Sequence, residues 1–345
     1  MKAARFYKVG QPMVVEEIPP PRPRQGEVIL KVKACGICGS DIHIVYEGVT
    51  PTAFQPIILG HEFSGEIAQV GEGVEGWEMG ERVAVSSIVS CGQCMNCLSG
   101  NQQICLQRRV LGIHLDGGLA EYVVVPAKNL ARLRDEIPYD QAAILTDAVA
   151  TPYHAITRRG RFVPGETVAV IGCGGLGIHA VQLAKIFGAG LIIGVDVSEV
   201  ALERAKAQGA DLVCRAGHGR DPLETIKEAT HGLGVDLSLE CVGQKDTIGL
   251  SVACLRQGGR AVVTGLGAEH ITTLPPTEFV RREVELRGSY GFTVREIEEL
   301  IRLIANGRLD ISSSVSKRIT LDEINQGLET LHNKIGDPIR IVVTM

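Results

Sequence analysis

The sequence lacks an excess of positive charge, a long apolar run and a leader-like N-terminus. Its 35 Lys and Arg residues stand against 40 Asp and Glu residues, a formal net charge of -5. Because positively charged residues are not in excess, the chain is not expected to bind nucleic acid or an anionic membrane surface. No run of about 18 apolar residues is present, so no membrane-spanning helix is predicted. Residues 1–10 alternate charged and apolar side chains, so no secretory signal is predicted.

Glycine and cysteine, by contrast, are plentiful: the 345 residues include 41 glycines and 10 cysteines. The length suits two domains of about 150 residues each. Because no signal peptide is predicted, we expect a cytoplasmic protein whose thiols stay reduced. The cysteines therefore indicate metal ligation rather than a disulfide framework.

Hydrophobic periodicity divides the chain into two parts. Up to about residue 145, short runs with a period near two, such as 27–34, are separated by glycine-rich turns and predict a mostly β, loop-rich domain. Further on, strand-like and helix-like segments alternate, beginning with 167–171 and 176–187. Such alternation predicts a doubly wound parallel sheet with helices on both faces, so the fold class is α/β. A last short strand is predicted at 339–343, after two amphipathic helices.

A glycine-rich turn, Gly-Cys-Gly-Gly-Leu-Gly, follows the first strand of this second part. In a dinucleotide-binding turn the first glycine makes the turn, the second admits the pyrophosphate and the last lets helix and strand pack closely. The candidate cofactor residues of the turn are Gly172, Gly174, Gly175, Leu176 and Gly177. Asp196 ends the next strand, where a carboxylate binds the adenosine ribose and favours NAD over NADP. The alternative is an ordinary glycine turn in an α/β core.

Four cysteines lie close together in a polar loop. Cys91, Cys94, Cys97 and Cys105 have the spacing C-x2-C-x2-C-x7-C. Four thiolates can enclose one tetrahedral zinc, and a closed site leaves no position for substrate, so this zinc would be structural. Two disulfides or idle thiols are the alternative. An iron–sulfur cluster is less favoured, because the spacing lacks the runs typical of such clusters.

A second constellation combines thiolate, imidazole and carboxylate groups. Residues 35–43 have the sequence Cys-Gly-Ile-Cys-Gly-Ser-Asp-Ile-His, and Gly-His-Glu follows at 60–62. Three such ligands with one open position would form a catalytic zinc site. Taken alone, Cys35 and Cys38 could instead be a redox pair, but they lie in no βαβ unit.

These motifs together resemble the zinc-dependent medium-chain alcohol dehydrogenases over essentially the whole chain. Residues 60–65, Gly-His-Glu-x-x-Gly, continue to Gly71 and Val74 as in the zinc signature of that family. The four-cysteine loop and the late nucleotide-binding domain are also similar. The resemblance implies a mostly β, GroES-like catalytic domain at 1–150 and 290–345, and a Rossmann-type NAD-binding domain at 151–289.

The resemblance also implies the ligands of a catalytic zinc, giving two zinc ions per subunit. Cys38 and His61 are two of these ligands. Asp147 takes the third position, which is a cysteine in many members, and an aspartate should let the metal polarise its bound oxygen more strongly. Glu62 either coordinates in a resting state or acts just behind the metal. Asp41 resembles the carboxylate that orients His61.

Ser40 and His43 match the family positions that relay the alcohol proton outward, although His43 could also be a surface histidine with no task. The resemblance implies further cofactor contacts: Thr151, Val242 and Thr264 at the nicotinamide, and Arg340 at the pyrophosphate. The sequence departs from some members at Gly39. Those members carry a basic residue at this position, and it contacts the cofactor phosphates. NAD could therefore bind more weakly or leave faster. The remaining histidines have no recognisable partner spacing and are expected to be structural or exposed: His114, His154, His179, His218, His231, His270 and His332.

The expected function is NAD-dependent oxidation of a small alcohol, or reduction of the corresponding carbonyl, by a homotetramer, with a dimer as the alternative. A secondary alcohol or polyol is the expected substrate class, and an acyl-thioester alcohol stays open. One rival is a zinc-free enoyl or quinone reductase of the same superfamily, which would not need Cys38, His61 and Asp147 together. The other is a non-enzymatic protein that kept the scaffold.

Overall fold

The computed structural model describes residues 1–217, 219 and 221–345 of the chain. His218 lies outside the described residues. Two compact units form, one from Met1–Ala150 with Gly291–Met345 and the other from Thr151–Tyr290. Within the described residues, every helix is too short or too polar to cross a membrane.

The strands of the described residues are numbered in chain order. They are β1 (Lys2–Phe6), β2 (Val14–Glu17), β3 (Glu27–Ile37), β4 (Ile57–Ile58), β5 (Glu62–Val70), β6 (Arg82–Val85), β7 (Ile88–Val89), β8 (Arg109–Val110), β9 (Tyr122–Pro126), β10 (Leu130–Arg132), β11 (Thr167–Ile171), β12 (Leu191–Asp196), β13 (Leu212–Arg215), β14 (Val235–Glu240), β15 (Leu255–Val263), β16 (Glu285–Gly288), β17 (Val315–Ile319) and β18 (Arg340–Thr344).

The α-helices are numbered in the same way. They are α1 (Gly39–Ile42), α2 (Met95–Leu98), α3 (Tyr139–Ile144), α4 (Ala150–His154), α5 (Gly177–Ile186), α6 (Glu199–Ala207), α7 (Pro222–Ala229), α8 (Lys245–Ala253), α9 (Pro276–Arg282), α10 (Val294–Ala305) and α11 (Ile324–His332). Three π-helical segments occur at His43–Glu47, Leu145–Val149 and Ala155–Arg159, and short 3-10 turns at Gln102–Ile104, Ala127–Asn129, Ser312–Ser314 and Leu321–Glu323.

The unit Thr151–Tyr290 contains a parallel sheet of six strands in the order β13-β12-β11-β14-β15-β16. The order reverses on either side of β11, which is the doubly wound arrangement. Such a sheet is covered on both faces, and its strands are therefore nearly continuous apolar runs. Val168, Val170 and Ile171 of β11 are accordingly buried. The predicted α/β class with a Rossmann-type sheet is confirmed.

The other unit is mostly β, as predicted. Its largest sheet has the order β10-β6-β5-β3-β18-β17, with β9 paired to β3, and smaller sheets have the orders β2-β1-β4 and β7-β8. Phe6, Leu30 and Phe63 are fully buried in its core. The periodicity did not predict α1, α2 or α3, because each is only one or two turns long and too short for a 3.6-residue pattern to repeat.

Strand register explains how distant parts of this unit meet. Gly36 of β3 lies opposite Glu62 at the start of β5, and Ile37 lies opposite Ile341 of β18. The residues just beyond these pairs therefore emerge at one end of the sheet. Helix α3 packs against β3 and β5. It thereby carries the π-helical segment that follows it to the same end.

Candidate functional site

Four predicted metal ligands converge at this end of the sheet. One ligand atom from each of Cys38, His61, Glu62 and Asp147 lies within 4.8 Å of all the others. Cys38 Sγ is 3.3 Å from Asp147 Oδ2, and His61 Nε2 is 3.9 Å from the same oxygen. Asp147 lies in the π-helical segment Leu145–Val149, and π-helical turns frequently occur at functional sites. The structure therefore brings together residues more than one hundred positions apart.

The buried polar atoms around this cluster fit a bound cation. Asp41 Oδ1, His61 Nδ1 and both carboxylate oxygens of Glu62 are buried without a hydrogen-bond partner among the described residues. Asp41 Oδ1 lies 3.6 Å from His61 Nδ1, where a small shift would let it accept the ring proton. A thiolate, an imidazole nitrogen and carboxylate oxygens are the donor set that zinc takes. The cluster of Cys38, His61 and Asp147, with Glu62 beside it, can therefore hold zinc.

Burial dominates the electrostatics of the cluster. It raises the pKa of Glu62 to about 8, although the Arg340 guanidinium opposes this shift. It also raises the pKa of Cys38, again against Arg340. For His61, burial lowers the pKa, but the Asp41 carboxylate outweighs it and the pKa lies well above the usual range. A cation that binds here must therefore displace protons, which couples metal affinity to pH.

Arg340 is a member of this site that the sequence analysis placed elsewhere. Its side chain is buried, with Nη2 3.2 Å from Glu62 Oε1 and 3.7 Å from Cys38 Sγ. The register of β18 on β3 sets Arg340 opposite Cys38. The Glu62–Arg340 ion pair was not predicted, and the contact of Arg340 with a pyrophosphate stays a prediction.

Of the two candidate relay residues, Ser40 lies at the metal-ligand cluster and His43 lies towards solvent. Ser40 Oγ is 3.0 Å from His61 Nε2, within hydrogen-bond distance. His43 begins the π-helical segment that follows α1, and its Nδ1 is 2.7 Å from Glu47 Oε2. The His43 side chain is 32% exposed. Ser40 can therefore meet a ligand at the cluster, whereas the His43 ring reaches solvent.

The four cysteine sulfurs also converge. The Sγ–Sγ distances are 3.5 Å for Cys94–Cys97, 3.9 Å for Cys94–Cys105 and 4.0 Å for Cys91–Cys97. The edge of a tetrahedron with Zn–S bonds of about 2.3 Å is about 3.8 Å. Hydrogen bonds from the backbone N–H groups of Leu106 and Cys97 lower the pKa of Cys94 to about 6. The loop therefore fits a four-thiolate zinc site.

Little else holds this loop together. Its large apolar side chains point outward: Met95, Leu98 and Leu106 are each more than 70% exposed. A loop with no apolar core of its own gains its order from a bound metal. This arrangement agrees with the structural rather than catalytic use of these cysteines.

The glycine-rich turn between β11 and α5 has a backbone that disfavours side chains at two of its glycines, Gly172 and Gly177. Gly172 has a φ of 86°, which favours glycine. A Cβ on Gly177 would lie 1.7 Å from the carbonyl oxygen of Gly172, whereas one on Gly174 would meet open space. The Cys173 N–H donates to Asp196 Oδ2 at 2.6 Å. The acid at the end of β12 therefore lies against the turn.

The remaining candidate cofactor residues belong to the same unit. Val242 lies two residues after the end of β14, Thr264 directly follows β15, and Thr151 lies buried in α4. Both Val242 and Thr264 are hydrogen-bonded to Glu240. Glu240 was not predicted as a functional residue, although an acid at the end of an apolar strand, after Leu239, is a signal that could have identified it.

The chain is similar to known dehydrogenases over nearly its whole length. Residues 24–135 match the family described as "Alcohol dehydrogenase GroES-like domain", and residues 175–306 match "Zinc-binding dehydrogenase". The chain is 35% identical over 344 residues to an NAD-dependent alcohol dehydrogenase of Sulfurisphaera tokodaii, covering 96% of this chain and 97% of that one. A sorbitol dehydrogenase of Halalkalibacterium halodurans is 34% identical over 332 residues, with 96% and 95% covered. The crystal structure of the alcohol dehydrogenase of Aeropyrum pernix superposes with a TM-score of 0.90 at 33% identity, with 100% of both chains covered.

Proposed function

The chain belongs to the zinc-dependent medium-chain alcohol dehydrogenases, and we propose that it oxidises a secondary alcohol or polyol reversibly with NAD. The observation that carries this proposal is the convergence of Cys38, His61, Glu62 and Asp147 ligand atoms within 4.8 Å. A sorbitol dehydrogenase among the relatives supports the polyol class. An acyl-thioester alcohol is a less favoured substrate, since no observation points to it.

The roles of the chain's own residues follow from their positions. Zinc bound by Cys38, His61 and Asp147 would supply a Lewis acid for the substrate oxygen. NAD would supply the hydride acceptor. The Ser40 hydroxyl, 3.0 Å from His61 Nε2, would accept the alcohol proton on its oxygen and give up its own proton towards solvent. His43 follows Ser40 by three residues, about one helical turn, and its exposed ring releases the proton to water.

The cluster also argues against the zinc-free reductase. Such an enzyme has no use for buried carboxylate oxygens without hydrogen-bond partners, and leaving such groups unpaired costs about 1–3 kcal/mol each. Glu62 Oε2 and Asp41 Oδ1 are such atoms among the described residues, whereas Glu62 Oε1 is ion-paired with Arg340 Nη2 at 3.2 Å. A bound cation would offset that cost.

Metal analysis tests this proposal directly. We expect two zinc ions per subunit in protein purified without added metal, together with NADH formation from secondary alcohols or polyols. If the wild type contains one zinc per subunit, and Cys38→Ser and Asp147→Ala each keep it, then only the four-cysteine loop binds metal. That result, with no alcohol turnover, would favour the zinc-free reductase.

Asp196 is expected to select NAD. The variant Asp196→Asn should raise the ratio of kcat/KM for NADP to that for NAD about tenfold, because like-charge repulsion of the 2'-phosphate is lost. The amide oxygen can still accept the Cys173 N–H, while the bond that the Ser198 N–H donates to Asp196 Oδ1 is lost for both cofactors alike. Steady-state kinetics with both cofactors measures the ratio.

Asp211→Asn is the matched control for this variant. The Asp211 carboxylate accepts the N–H of Ile192 in the same strand, β12, at 2.8 Å. Its neutralisation should leave the cofactor ratio unchanged. An equal rise in both variants would mean that Asp196 does not select the cofactor.

The assembly and location of the protein are also part of the proposal. We place the chain in the cytosol, supported by ten cysteines that form no disulfide among the described residues. We propose a homotetramer, with a dimer as the alternative, from the family resemblance. Light scattering coupled to gel filtration measures the mass, and a monomer would contradict both states.

A further inference from the structure

Glu240 is a fully buried carboxylate at the end of the central strand β14. Its Oε1 accepts three hydrogen bonds, from the N–H groups of Val242 and Gly243 and from the Thr247 hydroxyl, each at 2.8 Å. A buried carboxylate is tolerated only when such donors compensate its desolvation. One oxygen of Glu240 therefore fixes the whole turn from β14 into α8.

The backbone of the same residue holds a second loop. The Glu240 carbonyl accepts the Thr264 N–H and hydroxyl, both at 2.8 Å, and the Gly265 N–H at 3.3 Å. The two loops also touch directly, because a Cβ on Gly265 would lie only 2.1 Å from the Gly243 nitrogen. The loops that follow β14 and β15 are therefore joined to each other at Glu240.

The loops that follow β14 and β15 lie at the edge of the sheet where a ligand is expected. In open α/β sheets, ligands bind beyond the carboxyl ends of the strands where the strand order reverses. That reversal occurs at β11, and the Cys241 N–H donates to the carbonyl of Ile171 at its end. Val242 Cγ2 lies 2.4 Å from where a Cβ on Gly172 would be. The turn after β14 thus packs onto the glycine-rich turn.

We propose that Glu240 is the positioning residue for the nicotinamide half of the cofactor. It sets the places of Val242 and Thr264, and this inference rests on the proposed NAD-dependent function. The adenosine half is served by other contacts. Asp196 is held by the N–H groups of Cys173 and Ser198, at 2.6 Å and 2.9 Å, and neither bond involves Glu240.

The test compares two ligands that differ in the nicotinamide. Dissociation constants for NADH and for ADP-ribose are measured by fluorescence and calorimetry on the full chain. Glu240→Leu should weaken NADH about tenfold and leave ADP-ribose unchanged, because buried donors lose their acceptor. Glu240→Gln should bind both ligands like the wild type, since its amide oxygen can still accept all three bonds. The amide nitrogen replaces Oε2, which has no partner among the described residues.

Two further variants separate positioning from mere stability. Ser238→Ala removes a buried hydrogen bond of the same strand, from Ser238 Oγ to the Ser251 carbonyl at 2.7 Å. It should lower the melting temperature without changing the ratio of the two dissociation constants. Thr247→Val removes one of the three donors and should raise that ratio about threefold, even if Glu240→Leu does not fold.

The other possible results would overturn either the positioning role of Glu240 or the proposed NAD-dependent function. If the ratio of the dissociation constants for NADH and ADP-ribose stays at the wild-type value in Glu240→Leu and Thr247→Val, the positioning role alone is overturned. A ratio that rises equally in Ser238→Ala would do the same. Failure of the wild type to bind NADH would overturn the proposed function itself, and the positioning role with it.

Discussion

The variant Cys38→Ser should lose about a thousandfold in kcat/KM and bind less zinc, while its fold is retained. A serine hydroxyl stays protonated near neutrality and is a poor zinc ligand compared with a thiolate. Loss of a metal that polarises the substrate oxygen removes several kcal/mol of transition-state stabilisation, which corresponds to about a thousandfold in rate. Zinc per subunit, circular dichroism and steady-state kinetics on one preparation measure the effect.

Cys35→Ala is the matched control for this experiment. Cys35 lies three positions before Cys38 and is equally buried, but its sulfur is not in the four-ligand cluster. Burial raises the pKa of Cys35 well above its usual range, so it stays a neutral thiol. The control should keep its full zinc content. Wild-type activity in Cys38→Ser would refute the catalytic metal site.

The second large effect is expected at the four-cysteine loop. Cys105→Ser should abolish zinc binding there and lower the melting temperature of the unit that holds the loop by roughly 10 °C, since each 1 kcal/mol shifts a unit of about 150–250 residues by about 2–4 °C. The physical reason is that Met95, Leu98 and Leu106 are exposed and provide the loop with no core. Scanning calorimetry with and without a zinc chelator measures the shift, and limited proteolysis should cut within residues 91–105.

The chelator provides the internal comparison. It should lower the melting temperature of the wild type and of Cys38→Ser, both of which keep the loop thiolates. It should have no further effect on the loop of Cys105→Ser. If all three proteins melt alike under both conditions, the loop is not held by metal.

Local motifs were predictable because sequence neighbours stay neighbours in space. The cysteines at 91–105 and the glycines at 172–177 each lie within one loop or turn, so spacing alone limits their geometry. The structure agrees: the sulfurs of Cys94 and Cys97 are 3.5 Å apart, and the Gly177 position admits no side chain. Neither arrangement depends on how distant strands pair.

The four-ligand cluster of Cys38, His61, Glu62 and Asp147, in contrast, depends on strand pairing that the sequence pattern does not reveal. Cys38 and Asp147 are 109 residues apart, and Cys38 and Arg340 are 302 apart. Residue periodicity states which segments are strands but not which strands are neighbours. Only the family resemblance grouped Cys38, His61 and Asp147. It did not indicate that Arg340 pairs with Glu62, because that contact follows from the register of β18 on β3.

The direction in which the Asp147 carboxylate points depends on the number of residues that precede it in the helical run. Helix α3 ends at Ile144 and continues directly into Leu145–Val149, so the direction of the Asp147 carboxylate is fixed by its phase along one helical run. Each residue advances that phase by about 100° in an α-helix and by a smaller step in a π-helical turn, whose hydrogen bonds span five residues. Deleting Thr146 would therefore rotate the carboxylate away from Cys38 and His61, although every ligand would still be present. For this ligand, the count of residues before it matters as much as its chemistry.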